Sequence, residues 1–398
     1  MTARARAATT ANGGATRTRD PRTAARALRG LIESEADLVE ESCTMTAPVV
    51  DALHEAGLFR LSTPSELGGL EADASLILDV CEELAFADGS VGWAFAQNIT
   101  VGAYAAYLEP EHALPLARAK ASAGMFAPLG VAHEEAGGFR VSGHYAFGSG
   151  SGHAEYMGGA AMRMRGDEVA PMEDGAIPVV AFIVPMERVA LKGNWDVMGL
   201  RGTGSFDFEV PEQFVAAGAT FPLIGAPTIT GGPIYGLGPI PIGTISSVGW
   251  GLGVARRALD EVVEIAKAGR ARMGQLPLRE QPTFQRDLGV HTMALEAARR
   301  LAHGSYRTAV EAIARRDSAE ARDDRIRETK AAASWATRVC KQATQFAWET
   351  SGSAGIRNPS RLQRCFRDMC VGAGHLVFDD RNYTELAKKI LGLETAVF

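Results

Sequence analysis

Residues 195–209 read WDVMGLRGTGSFDFE and decide more about this chain than any other stretch. They hold a turn with three glycines: Gly199, Gly202 and Gly204. Glycines permit positive φ and a close approach of the backbone to a ligand. The same turn carries several polar side chains: Arg201, Thr203 and Ser205. This mixture suits a large planar ligand with polar edges and an anionic tail, and a plain hairpin turn with incidental polar residues is the alternative.

The composition is that of an ordinary globular protein. The chain has 398 residues, of which 46% are hydrophobic and 22% charged, and it is long enough for two or three domains. Its net charge of −6 argues against nucleic-acid binding, which needs a basic surface. We expect no membrane span, because polar residues interrupt every apolar run before the length that a spanning helix needs.

The cysteines and the first residues point to a cytoplasmic protein. None of the five cysteines forms a C-x-x-C pair or shows the spacing of a metal site, so we expect reduced thiols and no metal. Residues 1–19 carry four arginines but lack the hydrophobic centre of a secretory signal. We predict a disordered tail there.

Periodicity divides the remaining chain into three parts and a loop. Helical spacing of apolar residues predicts an N-terminal helical domain over 20–120. Alternating strands between glycine turns predict a middle β domain over 121–222. Residues 223–242 form a Gly- and Pro-rich loop, either a substrate-shaping wall or a plain linker. Long helical segments over 243–398, the last at about 360–391, predict a four-helix bundle.

Four short motifs in this order carry a resemblance to a known family. They are PSELGG at 64–69, EELA with DGS at 82–90, RARMG at 270–274 and RCFRD at 364–368. With the order helical, β and helical bundle, the chain resembles the acyl-CoA dehydrogenase fold. The resemblance implies a mainly α protein with a central β domain, and it covers nearly the whole chain from about residue 25.

Two further segments resemble one branch of this family, the two-component flavin-dependent monooxygenases. They are YAFGSGSGHA at 145–154 and MGLRGTGS at 198–205. This resemblance implies reduced flavin, either FMN or FAD, delivered by a separate flavin reductase, and O2 as co-substrate. A flavin hydroperoxide would then pass one oxygen atom to the substrate.

The residue in the place of the usual base also favours oxygenation. Many dehydrogenases of this fold carry a glutamate about eight residues past the late R-D motif, whereas this chain holds His375 there. Glu261 or Glu264 on another bundle helix could still supply a carboxylate base. An acyl-CoA dehydrogenase or flavin oxidase is therefore the alternative, and a catalytically silent scaffold is a third.

The resemblance also implies roles for individual residues. Ser149 would bond the reactive edge of the flavin ring, with Phe147 and Trp195 packing near that ring. The remaining cofactor-binding residues are Gly150, Arg201, Gly202, Thr203, Ser205 and Arg270. Arg270 would reach a flavin phosphate across a subunit interface, which implies a homotetramer or a dimer.

His375 is the main catalytic candidate, because imidazole titrates near neutral pH and can move single protons. Asn98 stands where some relatives carry a second histidine, and an amide can bond a ligand but cannot act as a base. His153 has the pattern of a structural residue or pocket neighbour. Apolar residues around the expected cleft favour a hydrophobic or aromatic small molecule as substrate: Trp93, Phe95, Phe126 and Phe378.

Overall fold

The N-terminal part of the chain is helical. The structure, a computed structural model, describes residues 20–170, 177–269, 271 and 273–395, so the tail predicted for 1–19 and Arg270 lie outside the described residues. Asp20, Asp73 and Asp88 each cap a helix by accepting a backbone N–H bond. The helices are α1 (Pro21–Ala27), α2 (Arg29–Ser42), α3 (Ala47–Glu55), α4 (Ala74–Ala87), α5 (Gly89–Ala103) and α6 (Pro110–Arg118).

A single sheet follows. Its strands are β1 (Ser122–Glu135), β2 (Gly138–Gly148), β3 (Tyr156–Arg165), β4 (Glu168–Val169), β5 (Val179–Pro185), β6 (Ala190–Leu191), β7 (Phe206–Ala216) and β8 (Thr220–Pro222). Their order is β6-β7-β2-β1-β3-β5-β8, with β4 paired to β3. The β1–β3 pair is parallel and the others are antiparallel. The turn at 199–205 directly precedes β7, which pairs with β2, so the pairing of these strands brings the two motif segments, 145–154 and 198–205, side by side.

Long helices complete the fold, which confirms the predicted fold class of a mainly α protein with a central β domain. They are α7 (Pro239–Lys267), α8 (Pro282–Ala314), α9 (Ala319–Ser351), α10 (Arg361–Gly372) and α11 (Arg381–Ile390). The prediction of a single last helix over about 360–391 is wrong. Residues 373–380 separate α10 from α11, and His375 caps a short 3-10 turn there, Leu376–Phe378. No helix within the described ranges combines the length and apolar character needed to cross a membrane.

Helix α5 lies where the three parts of the chain meet, with contacts to α4, α7, α10 and β1. Small residues allow this close packing: a methyl group at Gly92 of α5 would lie 2.5 Å from Ala85 Cα of α4. The loop predicted for 223–242 is fastened to the N-terminal helices. Tyr235 is buried and donates to the Ser62 carbonyl at 2.9 Å, and α7 already begins at Pro239.

Candidate active site

The glycine-rich turn is held from two sides. Its backbone adopts positive φ at Leu200 (56°) and Gly204 (54°) around the 3-10 turn Arg201–Thr203. The Leu200 N–H donates to Asp368 Oδ1 of α10 at 2.6 Å, and the Gly202 N–H donates to Ser90 Oγ of α5 at 3.1 Å. The predicted ligand loop is therefore a rigid turn fixed between two helices.

A chain of hydrogen bonds runs from α5 through both motif segments. Trp93 Nε1 lies 3.1 Å from Ser149 Oγ, which lies 2.7 Å from Ser205 Oγ. Ser205 Oγ is 2.6 Å from Thr203 Oγ1, and the Thr203 hydroxyl donates to the Leu200 carbonyl at 2.8 Å.

The bond from Thr203 to the Leu200 carbonyl decides which hydroxyl donates in each of the other hydrogen bonds of this series. Because the Thr203 hydroxyl donates its proton to the Leu200 carbonyl, its oxygen accepts a hydrogen bond from Ser205. Ser205 in turn accepts a hydrogen bond from Ser149. The indole of Trp93 donates to Ser149. Ser149 is thus left with one lone pair and no proton to offer.

Beside these hydrogen-bonded hydroxyls, three apolar side chains form an exposed shelf: Phe147, Trp195 and Met198. Phe147 adopts φ 67° and is 57% exposed, and its ring meets Trp195 edge-to-face with centroids 6.0 Å apart. Met198 is 58% exposed. A bulky residue with positive φ is strained, so the fold presents this aromatic ring at the surface against a local energetic preference. Such a shelf fits a planar aromatic ligand.

His375 lies on the other side of Trp93, with ring centroids 5.5 Å apart. Its Nδ1 accepts a hydrogen bond from the Val377 N–H at 3.3 Å, which places the proton of the neutral ring on Nε2. Burial lowers the pKa of His375 to about 4. The imidazole is therefore neutral at pH 7 and presents an N–H donor. Trp93 links it to Ser149, so the structure brings these two predicted residues together.

Asn98 lies behind the Ser149–Gly150 turn, and both ends of its amide are engaged. Nδ2 donates to the Ser122 carbonyl at 2.9 Å, so Oδ1 accepts from His153 Nε2 at 2.8 Å. A methyl group at Gly150 would lie 2.3 Å from Asn98 Nδ2. Burial lowers the pKa of His153 to about 4, and its Nδ1 is buried without a partner in the described chain. The pair supports the turn that carries Ser149.

The two neutral histidines predict a loss of stability in acid. The unfolded chain takes up protons at its histidines near pH 6.5, whereas folded His153 and His375 do so only near pH 4. The contribution of these two histidines to stability is therefore fully retained above about pH 6.5 and is lost as the pH drops toward 4. Each histidine contributes about 3 kcal/mol to that loss by pH 4. Urea unfolding at a series of pH values measures it.

His153→Gln provides the control, because glutamine still donates to Asn98 but does not titrate. Between pH 7 and pH 4 this variant should lose about 3 kcal/mol less than the wild type. Equal losses in the two proteins would contradict the assignment of His153.

The other predicted site residues are distributed as follows. Arg201 bonds within its own loop, with Nη1 donating to the Val197 carbonyl at 3.1 Å. Glu261 pairs with Arg257 at 2.7 Å and Glu264 with Lys267 at 2.8 Å, on the stretch of α7 beyond Trp250. Phe95 and Phe378 are buried core residues.

Two residues of the site have no role assigned from sequence. Trp93 is predicted there only as an apolar lining residue, yet it connects Ser149 to His375. Asp368 is predicted only as part of a motif, yet it holds the turn. The motif positions marked both neighbourhoods, but the contacts themselves span 56 and 168 residues of sequence.

Beneath the turn lies a buried charged cluster. Asp88 and Asp368 are both buried, and Arg364 Nη1 lies 3.5 Å from Asp88 Oδ2. Arg364 also pairs with Asp37 and Glu40 of α2. Burial, with the nearby Asp88 charge, raises the pKa of Asp368 to about 8. Arg364 thus faces the carboxyl group that caps α5, while the raised pKa keeps Asp368, which anchors the turn, mainly protonated at pH 7.

Family models match both helical parts of the chain. The chain matches the family models "Acyl-CoA dehydrogenase, N-terminal domain" over residues 21–111 and "Acyl-CoA dehydrogenase, C-terminal domain" over 245–380. It is 29% identical over 354 residues to indole-3-acetate monooxygenase of Pseudomonas putida, covering 86% of each chain. It is 28% identical over 388 residues to the FADH2-dependent resorcinol hydroxylase, oxygenase component, of Rhizobium sp., covering 92% of each.

Solved structures share the fold. The 3-HSA hydroxylase from Rhodococcus sp. RHA1 superposes with a TM-score of 0.87 at 23% identity, covering 95% of this chain and 98% of that one. XiaF from Streptomyces sp., in complex with FADH2 and glycerol, gives 0.82 at 20% identity, covering 96% and 97%. The chain belongs to the acyl-CoA dehydrogenase family, in its branch of flavin-dependent monooxygenase oxygenase components.

Proposed function

We propose that the protein binds reduced FMN or FAD from a separate flavin reductase and oxygenates a hydrophobic or aromatic small molecule, with a flavin hydroperoxide as oxygen donor. When bound, the reduced flavin supplies the electrons with which O2 is divided between substrate and water. The relatives named for indole-3-acetate and resorcinol oxygenation support an aromatic substrate.

The observation that carries the proposal is the fixed direction of the hydroxyl chain. Ser149 has given its proton to Ser205 and accepts from Trp93, so its remaining lone pair can only accept. A reduced flavin carries an N–H on its central ring where oxidised flavin has a bare acceptor nitrogen. Ser149 therefore favours the reduced cofactor, as expected of an enzyme that receives its flavin already reduced.

The other residues would divide between the ring and the turn. Phe147 and Trp195 would cover the flavin ring, and the backbone at Gly150 and Gly202 would allow its close approach. The polar side chains would contact its edge or its tail: Arg201, Thr203, Ser205 and Arg270.

His375 would act through its Nε2–H as a hydrogen-bond donor toward the reacting oxygen or the substrate. A base at this position would need the proton on Nδ1, where it would oppose the Val377 N–H. The geometry therefore favours a hydrogen-bond donor over a general base at His375. Asn98 would serve indirectly by holding His153 and the Ser149 turn, rather than as a catalytic group.

Assembly and location complete the proposal. A homotetramer or dimer would bring Arg270 of one subunit to the flavin of another. The exposure of the shelf in the single chain leaves room for such a second subunit. All five cysteines are free thiols, which supports a reducing, cytoplasmic location. An acyl-CoA dehydrogenase or flavin oxidase stays the alternative, but Glu261 and Glu264 are engaged in ion pairs.

Supply by a separate reductase is tested with a dialysis membrane between a flavin reductase and this protein. We expect oxygenated product from indole-3-acetate, resorcinol or indole on the protein's side, since flavin alone crosses the membrane. Product that forms only when the two proteins mix would contradict delivery by free flavin. Product formed without any reductase or added reduced flavin would contradict the proposal.

Ser205→Ala should reduce the preference for reduced flavin. The substitution releases the Ser149 proton, which can then be donated to the bare nitrogen of oxidised flavin. The ratio of the two dissociation constants should fall about three- to tenfold, the contribution of one hydrogen bond. Anaerobic titrations with reduced and oxidised FMN measure it.

Ser151→Ala is the matched control, because Ser151 is also buried in this turn but bonds the Gly204 carbonyl outside the chain of hydroxyls. It should leave the ratio unchanged. If Ser205→Ala also leaves it unchanged, the assigned direction of the chain is wrong.

A further inference from the structure

Helix α5 is buried along its whole length except at one residue. Every residue from Gly89 to Ala103 is buried apart from Gln97, whose side chain is partly exposed. Gly243 of α7 is partly exposed as well, and a methyl group there would lie 3.0 Å from Thr100 of α5. An opening therefore reaches the contact between α5 and α7, where the amide of Gln97 is accessible.

The orientation of that amide is fixed by its neighbour. The Ser247 hydroxyl donates to the Gly243 carbonyl at 2.9 Å, so its oxygen can only accept from Gln97. Gln97 Nε2 accordingly points to Ser247, at 3.4 Å. Within the described chain no protein group bonds Gln97 Oε1, which is not among the buried atoms left without a partner. An acceptor oxygen thus faces the opening.

The opening adjoins the candidate active site. Gln97 lies one helical turn beyond Trp93 on α5, and Ser247 lies nearly one turn before Trp250 on α7. The rings of Trp93 and Trp250 meet edge-to-face at 4.8 Å, and Trp93 contacts both Ser149 and His375. A small aromatic molecule held beside Trp93 would reach Gln97 with its far edge.

We propose that Gln97 determines substrate specificity by accepting a hydrogen bond, through Oε1, from an N–H or O–H on the ring of an aromatic substrate. This inference rests on the proposed function, since it takes the region around Trp93 as the place of the substrate. A ligand without such a donor would displace water from the oriented amide oxygen and leave it unpaired, so the site disfavours that ligand. Ser247 is a positioning residue in this scheme.

Two pairs of probes test the proposal by calorimetric binding to the full chain: indole with N-methylindole, and phenol with anisole. The wild type should bind the donor-bearing member of each pair about three- to tenfold more tightly. Gln97→Met keeps the size of the side chain and should bring the two members of each pair within about twofold. Gln97→Glu keeps an acceptor oxygen and should restore the preference.

Controls separate this role from a general effect on folding. Thr100→Val removes another polar group of α5, one that bonds Ala96 and Ser246, and should leave the preference unchanged. Ser247→Ala frees the amide to turn and should give an intermediate preference. A wild type that binds neither pair or shows no preference overturns the proposal, as does a preference that survives in Gln97→Met.

Product formation tests the proposed function, whereas the binding preference tests the role of Gln97. If no oxygenated product forms with reduced flavin while the binding preference depends on Gln97, the ligand site stands and the reaction assigned to it is wrong. If product forms but the preference ignores Gln97, the reverse holds.

Discussion

Substitution of Gly199 by alanine is expected to weaken flavin binding about ten- to hundredfold and to lower the free energy of unfolding by about 1–3 kcal/mol. The added methyl group would lie 2.2 Å from the Arg367 carbonyl oxygen and 2.4 Å from its carbon. These are backbone atoms of α10, so the turn must move instead. Its movement would break the bond from Leu200 to Asp368 and displace Ser205. Anaerobic titration with reduced FMN and urea unfolding measure the two effects.

Gly30→Ala is the matched control. Gly30 lies in α2, is exposed, and has no atom within 4 Å of an added methyl group. Alanine in a helix should stabilise the protein by about 0.5–1 kcal/mol and leave flavin affinity unchanged. Wild-type flavin affinity in Gly199→Ala would show that the turn is not part of the flavin site.

Replacement of Arg364 by methionine should be among the most destabilising single changes in this protein, by about 3–5 kcal/mol at pH 7. The side chain is buried and faces Asp88, whose other oxygen caps α5 through Ser90 and Val91. Methionine fills most of the volume but leaves the buried carboxylate without its cation. Because Asp368 shares this cluster, we also expect weaker flavin binding in the fraction that folds.

Arg325→Met makes the same chemical change at the surface. Arg325 pairs with Glu328 at 2.8 Å, and both side chains are nearly half exposed. Such pairs contribute about 0–1 kcal/mol, so this variant should unfold close to the wild type. Similar losses in the two variants would mean that the cluster beneath the turn gives no special support.

Much of the fold follows from local patterns. Asp20, Asp73 and Asp88, with the helical spacing of apolar residues after them, mark the starts of three of the six N-terminal helices. The break at 373–380 is harder, because Leu376, Val377 and Phe378 continue an apolar pattern. Gly372 must pack against Trp250, where an added methyl would lie 2.1 Å from the ring, and His375 caps the new turn itself. These tertiary contacts end the helix.

The site residues also divide into those that a local motif predicts and those that tertiary contacts place. The hydroxyls of Ser149, Thr203 and Ser205 can be predicted because each belongs to a continuous motif. Trp93 and Asp368 cannot, since their roles depend on contacts between distant parts of the chain. Which group donates in each hydrogen bond, and therefore the acceptor role of Ser149, follows only when the positions of all the bonded groups are known.

The mass of the product formed under isotopically labelled dioxygen tests the proposed oxygenation most directly. The full chain is supplied with reduced FMN or FAD and with indole-3-acetate, resorcinol or indole. We expect one labelled oxygen atom in each molecule of product and no label from labelled water. Unlabelled product, or no product together with anaerobic reduction of bound oxidised flavin by an acyl-CoA thioester, would contradict it.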